Sequence, residues 1–320
     1  MTIGERIRYY RLKNGLKQHQ LAELIGVSPQ AISKWETDTG CPDISMLVPL
    51  ARALGTTTDR LLDGQGEADT ESEWDSMALA YEVFNNSPDS YSYTIEWPCV
   101  QQLLPELRGK RILDVGCGTG IFTFLLEQYF PEKVVGLDFS EGMLNAAREK
   151  GRERRSHADF LQGDAVHLAD YFEEPFDLVF SSTTIHYIQD LKPLFEQIKA
   201  VLKPGGVCIL SMIHPVYSAQ YPIDQNGVFP GEEDWVVRYL DRRRRAYIQP
   251  WIEYNDDFEN RLSRSFHHTF GDYINAILAE GLRIQEIREP MPPEHWKISA
   301  YGRYNNFIET PTFMVLKLVL

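Results

Sequence analysis

The chain has 320 residues, of which 43% are hydrophobic and 24% are charged, a composition typical of globular proteins. This length exceeds the usual size of one hydrophobic core, so we expect two structural units. No apolar segment approaches the roughly 20 residues that a membrane span requires, no secretory leader is expected, and the four cysteines lack metal-ligand spacing. These features predict a cytoplasmic protein with free thiols, no membrane span and no metal site.

The net charge of −14 is unevenly distributed along the chain. Residues 1–64 contain eight Lys or Arg and seven Asp or Glu, a balance of +1, whereas residues 65–320 contain 24 basic and 39 acidic residues, a balance of −15. An acidic surface repels the phosphates of nucleic acids. If the protein binds DNA, we therefore expect the first sixty residues to do so.

Residues 1–64 are predicted to form five short helices packed as a small bundle, because apolar residues recur there at helical spacing. Gly26 lies where the chain needs a turn with positive φ. Ser28, followed by a proline, is a favoured helix start. The segment from Gln20 to Glu36 therefore predicts a helix, a tight turn and a second helix.

The N-terminal end of that second helix is the part of a helix-turn-helix that enters the major groove. Polar side chains there can hydrogen bond to base edges, and a lysine can neutralise a phosphate. The candidate DNA-contacting residues are Ser28, Gln30, Ala31, Ser33 and Lys34.

The segment from Ile3 to Asp63 resembles the Cro-repressor/XRE family of helix-turn-helix domains, in its "ISKWE" and "LARALGTTTDRLL" sequences and its Pro42-Asp43 pair. The resemblance implies binding to double-stranded DNA, usually to palindromes as a homodimer. The alternative is a helical bundle that binds protein or nothing.

An acidic stretch rich in Gly, Ser and Thr, residues 65–74, predicts a flexible linker between a domain of residues 1–64 and a domain of residues 75–320. In the second domain, β-rich runs alternate with helical segments, which indicates an α/β fold with a mostly parallel sheet. The predicted strands are Arg111–Val115, Lys133–Leu137, Phe176–Phe180, Val207–Met212, Arg283–Ile287 and Phe313–Leu318.

The sequence "RILDVGCGTG" predicts a strand, a glycine-rich turn and a helix. Gly116, Gly118 and Gly120 permit a close approach of the backbone to a ligand, and the helix N-terminus attracts an anionic group. Asp138 ends the next strand, where its carboxylate can accept hydrogen bonds from a ribose. Asp114 precedes the turn and would repel a dinucleotide pyrophosphate but attract a cationic group, so a nucleotide-dependent oxidoreductase is disfavoured.

The order and spacing of "ILDVGCGTG", "GLDFS", "LQGDA", "FDLVFSSTTIHYI" and "LKPGG" resemble those of class I S-adenosylmethionine-dependent methyltransferases. The resemblance implies a Rossmann-like domain with a seven-stranded sheet, an antiparallel last strand and S-adenosylmethionine as cofactor. It also implies roles for individual residues: the glycine trio near the methionine part, Asp138 at the ribose and Ser181 under the cofactor. The remaining implied cofactor contacts are Phe139 and Met143, Asp164 and Ala165 at the adenine edge, and Tyr81 from a preceding helix.

No fixed catalytic motif is expected to identify the methyl acceptor, because methyl transfer mainly needs alignment of the acceptor and exclusion of water. The sequence "SSTTIHYI" stands where DNA N-methyltransferases have a Pro-Pro-aromatic motif, which disfavours DNA as the acceptor. The Pro98-Cys99 pair is better explained by packing than as a nucleophile motif. His186 and His267 are candidate bases, with a structural or substrate-orienting role as the alternative.

Residues 214–266 are interpreted as an insertion rich in Tyr and Trp, either an aromatic lid or a packed β-extension. The basic run 242–245 within it is interpreted as a solvated face, with a contact to an anionic substrate or between domains as the alternative. The leading hypothesis is a small-molecule methyltransferase fused to a sequence-specific transcriptional regulator domain. The alternative is a transcription factor whose methyltransferase-like domain only senses S-adenosylmethionine or a metabolite.

Overall fold

The structure is a computed structural model that describes residues 3–14, 16–54, 56, 58–62, 70–85, 87, 90–221, 237–248 and 262–320. The chain divides into two compact units, Met1–Asp69 and Thr70–Leu320. Among the described helices, none is both long and apolar enough to cross a membrane.

The first unit is a helical bundle around one apolar core. Ser28 begins the third helix by accepting a hydrogen bond from the backbone of Ala31, and Gly26 ends the second helix with φ +72°. Buried residues such as Ile32 and Trp35 anchor the third helix to the core. The helices are α1 (Ile3–Lys13), α2 (Gln18–Ile25), α3 (Pro29–Glu36), α4 (Leu47–Ala53) and α5 (Thr58–Leu62), with a 3-10 turn at Ile44–Met46.

The second unit contains a seven-stranded sheet in the order β3-β2-β1-β4-β5-β9-β8. The first five strands run parallel, and β9 pairs antiparallel with both β5 and β8. A separate antiparallel hairpin joins β6 and β7. The strands are β1 (Arg111–Val115), β2 (Lys133–Asp138), β3 (Asp159–Gln162), β4 (Phe176–Ser182), β5 (Leu202–Ile213), β6 (Arg245–Ile248), β7 (Leu262–Ser265), β8 (Arg283–Arg288) and β9 (Phe313–Val319).

Helices cover both faces of this sheet, so its central strands are buried almost continuously. Successive side chains point to opposite faces: Leu113 belongs to the core under α11 and α13, whereas Ile112 belongs to the core under α7 and α8. The helices are α6 (Thr70–Asn85), α7 (Trp97–Gln101), α8 (Ile121–Glu127), α9 (Glu141–Arg154), α10 (Leu168–Tyr171), α11 (Leu191–Val201), α12 (Pro215–Ser218), α13 (Phe270–Ala279), α14 (Trp296–Ser299) and α15 (Tyr301–Glu309).

The observed elements confirm the predicted fold class, a helical domain followed by a seven-stranded, mostly parallel sheet with an antiparallel last strand. The predicted strands differ from the observed ones mainly at their ends, and β3 was missed because its four residues lie at an edge and are largely exposed. Helix α6 begins at Thr70, so the last five residues of the predicted linker 65–74 are helical, while residues 65–69 lie outside the described residues.

Candidate functional site

The carboxyl ends of β1 and β4 form the crevice where the strand order of the sheet reverses. In open α/β sheets, ligands bind at this switch point. The glycine-rich loop 116–120 follows β1, and the segment 183–187 follows β4. The two segments are joined by a hydrogen bond from Thr184 Oγ1 to the carbonyl of Gly116 (3.3 Å).

The three glycines of the loop all have positive φ, but they are required for different reasons. A Cβ at Gly116 would lie 2.0 Å from Thr184 Oγ1, and one at Gly120 would lie 2.8 Å from Phe124 Cε2. At Gly118 the nearest atom would be Tyr81 Cε1, at 3.7 Å. The predicted close approach of a ligand thus suits Gly118, whereas the other two glycines are explained by packing within the protein.

Asp138 lies at the end of β2, and its carboxylate joins the glycine loop to the residues that precede α9. Gly118 N donates to Oδ2 (2.8 Å) and Ser140 N donates to Oδ1 (2.9 Å). Burial raises the pKa of Asp138 to about 6, against these backbone hydrogen bonds. Each oxygen retains a lone pair, so the carboxylate can still accept hydrogen bonds from a diol.

Asp114 is buried at the end of β1 and accepts a hydrogen bond from Thr123 Oγ1 (2.6 Å). Burial raises its pKa to about 7, although the Thr123 hydroxyl opposes the shift. No basic side chain in the described part of the chain forms an ion pair with Asp114 or Asp138. The loop is therefore an electronegative site.

The other predicted cofactor contacts fall into two groups. Met143 and Ala165 are buried, and Phe139 is half-buried at the end of β2. Ser181 donates its hydroxyl to the carbonyl of Val115 (2.8 Å), so the hydroxyl joins β4 to β1. The exposed carboxylate of Asp164 accepts from Val166 N (3.0 Å) and begins the 3-10 turn at Ala165–His167. For these two residues the structure provides a structural role.

Helix α6 covers the glycine loop and is held to α9. Asp75 Oδ1 accepts hydrogen bonds from Ser140 Oγ (2.6 Å) and Gly142 N (2.9 Å). Glu82 forms an ion pair with Lys150 (2.5 Å), whose ammonium also donates to Thr119. These contacts place the ring of Tyr81 beside Gly118, as its predicted role requires.

An aromatic cluster lies at the same edge of the sheet. Trp74 packs edge-on against Tyr81 and against Tyr187, with ring centroids 5.5 and 5.4 Å apart. Tyr187 in turn contacts the ring of His186, with centroids 4.2 Å apart. Thr183, at the start of this segment, has φ +48°, a strained value that often marks functional sites.

His186 is 3% exposed, and within the described residues its buried Nδ1 has no hydrogen-bond partner. Burial lowers its pKa to about 3, so the ring is neutral. A buried polar atom without a partner is uncommon, and at a ligand-binding edge it is available to a ligand.

His267 does not fit its predicted role as a base. Its Nε2 lies 2.8 Å from the carbonyl of Tyr239, which can only accept, and its Nδ1 lies 2.8 Å from Ser218 Oγ. A neutral ring that donates through Nε2 and accepts through Nδ1 has no nitrogen left for a substrate. The ring instead joins β7 and α12 to the segment containing Tyr239.

Sequence reasoning missed Glu96, a third buried carboxylate at this edge of the sheet. It is 2% exposed, and its Oε1 accepts hydrogen bonds from Ser182 Oγ (2.7 Å) and Ser211 Oγ (2.5 Å). These serines lie near the carboxyl ends of β4 and β5. The available signal was an acidic residue among the apolar and aromatic residues of "SYTIEW". Its hydrogen-bond partners are distant in sequence, so the sequence alone does not place it at the site.

The predicted insertion 214–266 is described only in part, because residues 222–236 and 249–261 lie outside the described residues. The basic run is not simply a solvated face. Arg245 is fully buried and donates to the carbonyls of Arg243, Arg238 and Asp241. Arg242 forms a bidentate ion pair with Asp272. These arginines therefore hold the hairpin to its neighbours.

In the first unit, the face of α3 predicted to meet DNA is accessible. Ser28, Gln30 and Lys34 are exposed, and Ala31 and Ser33 are half-buried. On the opposite face Glu36 forms a buried, bidentate ion pair with Arg11 (2.5 and 2.9 Å). The helix is thus fixed on one side and free on the other.

Two family models match this chain: a helix-turn-helix at residues 7–61 and a methyltransferase domain at residues 113–210. A solved S-adenosylmethionine-dependent methyltransferase of Mesorhizobium loti superposes with a TM-score of 0.56 and 29% identity, over 70% of this chain and 97% of the other. The chain is an XRE-type helix-turn-helix domain joined to a class I S-adenosylmethionine-dependent methyltransferase domain.

Two further relatives match the methyltransferase domain only in part. A probable S-adenosylmethionine-dependent methyltransferase of Saccharomyces cerevisiae is 34% identical over 52% of this chain and 57% of its own length. The demethylmenaquinone methyltransferase of Lactococcus lactis is 40% identical over 39% of this chain and 52% of its own length. The chain therefore spans little more than half of the length of these two relatives.

The residues of the methyltransferase domain fit S-adenosylmethionine, its cofactor. The space at Gly118 that a Cβ would fill, the available acceptor positions on Asp138 and the electronegative loop suit a ribose and a cationic amino acid. Asp138 would hold the ribose hydroxyls, Asp114 would attract the amino group, and Tyr81 would cover the methionine part.

Proposed function

We propose that the methyltransferase domain transfers a methyl group to a small-molecule acceptor bound at the carboxyl edge of β4 and β5. The observation that carries this proposal is the aromatic cluster at this edge, in which Trp74 packs against Tyr187 and against Tyr81, and Tyr81 lies beside Gly118. Sites lined by aromatic side chains and a few polar groups are typical of small-molecule ligands.

Nucleic acid is a poor acceptor for this site. Residues 70–320 contain 24 basic and 37 acidic residues, a balance of −13, and phosphate backbones bind to basic surfaces. One relative is named a demethylmenaquinone methyltransferase, so the acceptor in its name is not a nucleic acid. This likeness supports the proposal without identifying the acceptor of this chain.

The bound cofactor supplies an electrophilic methyl group on a sulfonium. The protein then has to position the acceptor and exclude water. We infer that the aromatic cluster Trp74, Tyr81 and Tyr187 excludes water and that His186 orients the acceptor through its Nδ1. With a pKa of about 3, His186 is neutral over the physiological range and suits orientation by hydrogen bonding.

The experiment uses S-adenosylmethionine labelled in its methyl group, the purified full chain and a fractionated cell extract. We expect label to enter a small-molecule fraction, to be lost in Asp138→Ala and to be reduced in His186→Ala, whereas His267→Ala affects folding rather than methyl transfer. Tight cofactor binding without transfer to any fraction would overturn the proposal and favour a sensor of S-adenosylmethionine.

We also propose that the helix-turn-helix domain binds a specific operator as a homodimer and regulates transcription. The exposed face of α3 and the match over residues 7–61 support it. Selection of bound duplexes from a random pool, followed by sedimentation of the complex, tests both parts. An unenriched pool would refute sequence-specific binding, and a complex with one chain per duplex would refute the dimer.

A further inference from the structure

We propose that the methyl acceptor is an organic amine, protonated in solution, and that the carboxylate of Glu96 binds the amine and removes its proton. This inference rests on the proposed function, methylation of a small molecule, and names the chemical class of that molecule. Glu96 would then be a catalytic residue that contacts the acceptor nitrogen.

The backbone around Glu96 is irregular at the residue that matters. Residues 92–96 form a π-helical segment that ends at Glu96 and continues into α7. Such segments are rare, and they occur frequently at functional sites because they shift a side chain out of the regular helical register. Here the shifted side chain reaches the carboxyl ends of β4 and β5.

The hydrogen bonds of Glu96 leave one oxygen open. Ser182 and Ser211 both donate to Oε1, and in the described part of the chain no group donates to Oε2. The serines fix the orientation of the carboxylate without neutralising it. Because a carboxylate oxygen can accept two hydrogen bonds, Oε2 is available to N–H donors of a ligand.

A purely structural role does not account for this carboxylate. Buried charges that stabilise a fold are paired with an opposite charge, as Glu82 is paired with Lys150 on the neighbouring helix. No cation of the described residues forms an ion pair with Glu96. Burial raises its pKa, against the two serine hydrogen bonds. A cationic ligand would supply the missing partner.

The surrounding electrostatics favour a cation over an anion. Burial raises the pKa of Tyr81, and the charged groups that raise it further are all acidic, in the order Glu96, Asp138, Asp114 and Glu82. The hydroxyl of Tyr81 is therefore within electrostatic range of both the cofactor carboxylates and Glu96. The rings of Trp74 and Tyr187 add electron-rich faces that attract ammonium groups. A phosphate or carboxylate acceptor would be repelled.

The chemistry balances with the groups present. The ammonium N–H gives its proton to Glu96, which becomes a carboxylic acid, and the nitrogen gains a lone pair. The lone pair forms the N–C bond as the S–C bond of the sulfonium breaks, which leaves a methylated ammonium and S-adenosylhomocysteine. Glu96 then releases its proton to solvent, so each turnover liberates one proton.

The test compares wild type with Glu96→Gln in the labelled-methyl assay on metabolite fractions. Unreacted S-adenosylmethionine is removed before the products are separated. Products are separated by cation exchange, and the labelled atom is located by mass spectrometry. We expect a cationic product methylated on nitrogen, and a kcat/KM lower in Glu96→Gln by at least about 100-fold, the lower end of what a general base contributes. Binding of S-adenosylmethionine, measured by calorimetry, should be unchanged.

Two further variants separate chemistry from folding. Glu106→Gln removes an exposed carboxylate of the same domain and should leave turnover unchanged. Ser211→Ala removes one donor to Oε1 and should lower turnover less than Glu96→Gln does. If Glu96→Gln also loses cofactor binding, its lower turnover cannot be assigned to chemistry, and Ser211→Ala becomes the test. Normal turnover in Ser211→Ala would then overturn the role of Glu96.

The outcomes for the two proposals differ. A neutral or anionic methylated product, or a Glu96→Gln variant as active as wild type, would overturn the amine assignment and leave the proposed function intact. If wild type binds the cofactor but labels no small molecule, the proposed function itself fails and this inference fails with it.

Discussion

Two buried acidic sites, one in each domain, have opposite kinds of partners. In the helix-turn-helix domain, Glu36 receives two hydrogen bonds from Arg11 and a third from Gln18 (2.8 Å). In the methyltransferase domain, Asp114 and Asp138 are equally buried but have only hydroxyl and backbone donors. The charge of Glu36 is satisfied within the fold, whereas Asp114 and Asp138 have no cationic partner and can still interact with a ligand. This difference separates structural acids from functional ones.

The largest expected effect is on Glu36. Glu36→Gln leaves the buried guanidinium of Arg11 without its counter-charge, so we expect the free energy of unfolding of the N-terminal domain to fall by about 3–5 kcal/mol. Hydrogen exchange of the full chain, followed by mass spectrometry over residues 3–62, measures this domain separately.

The control for Glu36 is Glu23→Gln, which removes an exposed carboxylate from α2. The double variant Arg11→Met, Glu36→Leu removes both charges and should recover most of the loss, because apolar replacements of a buried pair are often neutral. If the amides of the N-terminal domain exchanged as slowly in Glu36→Gln as in Glu23→Gln, the ion pair of Glu36 would not contribute to stability. The distinction between acids that are paired with a cation and acids that are not would then fail.

The next effect is on cofactor affinity. Asp138→Asn removes the charge and one acceptor from the ribose site, so we expect the Kd for S-adenosylmethionine to rise by about 10- to 100-fold, the equivalent of one hydrogen bond to a charged group. The apo domain should lose little stability, because relief of the buried charge offsets the loss of one of the two backbone hydrogen bonds to the carboxylate. Titration calorimetry and thermal unfolding measure the two quantities.

Asp177 provides the matched control for Asp138. It lies near the amino end of β4, accepts from Lys203 Nζ (2.7 Å) and Arg111 N (3.0 Å), and its pKa is lowered by these partners despite some burial. Asp177→Asn should therefore lower stability and leave cofactor affinity unchanged, the reverse of Asp138→Asn. Equal effects of the two variants on affinity would contradict the assignment of Asp138.

A smaller effect is expected from pH. Burial raises the pKa of Asp114 to about 7 and that of Asp138 to about 6, above the value of about 3.9 for an unfolded aspartate. The folded domain therefore binds more protons than the unfolded chain between roughly pH 4 and 7, so these two groups add stability as the pH falls through that window. Cofactor affinity should fall over the same window.

Thermal unfolding and calorimetry from pH 8 to pH 5 measure these opposite trends. In Asp138→Asn the decline of affinity near pH 6 should disappear, and only the part due to Asp114 should remain. An affinity that is constant from pH 8 to pH 5 in wild type would show that neither carboxylate contacts the cofactor in its ionised form.

Much of the fold could be predicted from sequence because its signals are local. The buried strands β1, β2 and β4 are rich in apolar residues, and the cofactor loop follows β1 directly. The edge strand β3 carries no such run. Local signals also located the helix-turn-helix, since a cap, a turn glycine and an apolar stripe lie within one short segment.

The acceptor site could not be predicted in the same way, because its chemistry depends on distant contacts. The orientation of the Glu96 carboxylate depends on a hydrogen bond from Ser211, which lies 115 residues further along the chain. The contacts of His267 depend on distant residues in the same way: its partners Ser218 and Tyr239 lie 49 and 28 residues away, and they favour the structural role that was the alternative for this residue. A histidine in an attractive sequence context is a base only if one ring nitrogen remains unbound, which sequence does not state.

The smallest effect distinguishes two neighbouring residues on the DNA-facing end of α3. Ser28 accepts a hydrogen bond from Ala31 N (3.2 Å) and so caps the helix, whereas the Gln30 side chain is exposed. Ser28→Ala should lower the free energy of unfolding by about 1 kcal/mol. Gln30→Ala should leave stability unchanged and weaken binding to the selected operator by about 1–3 kcal/mol if the glutamine reads a base.

Hydrogen exchange over α3 and mobility shifts with operator and random duplexes measure both variants. Because a base contact carries sequence information and a phosphate contact does not, Gln30→Ala should narrow the difference in affinity between the two duplexes. Lys34→Ala should instead weaken binding to both duplexes similarly. If Gln30→Ala weakened both equally, Gln30 would contact only the backbone of DNA, and base reading would have to come from other residues on this face.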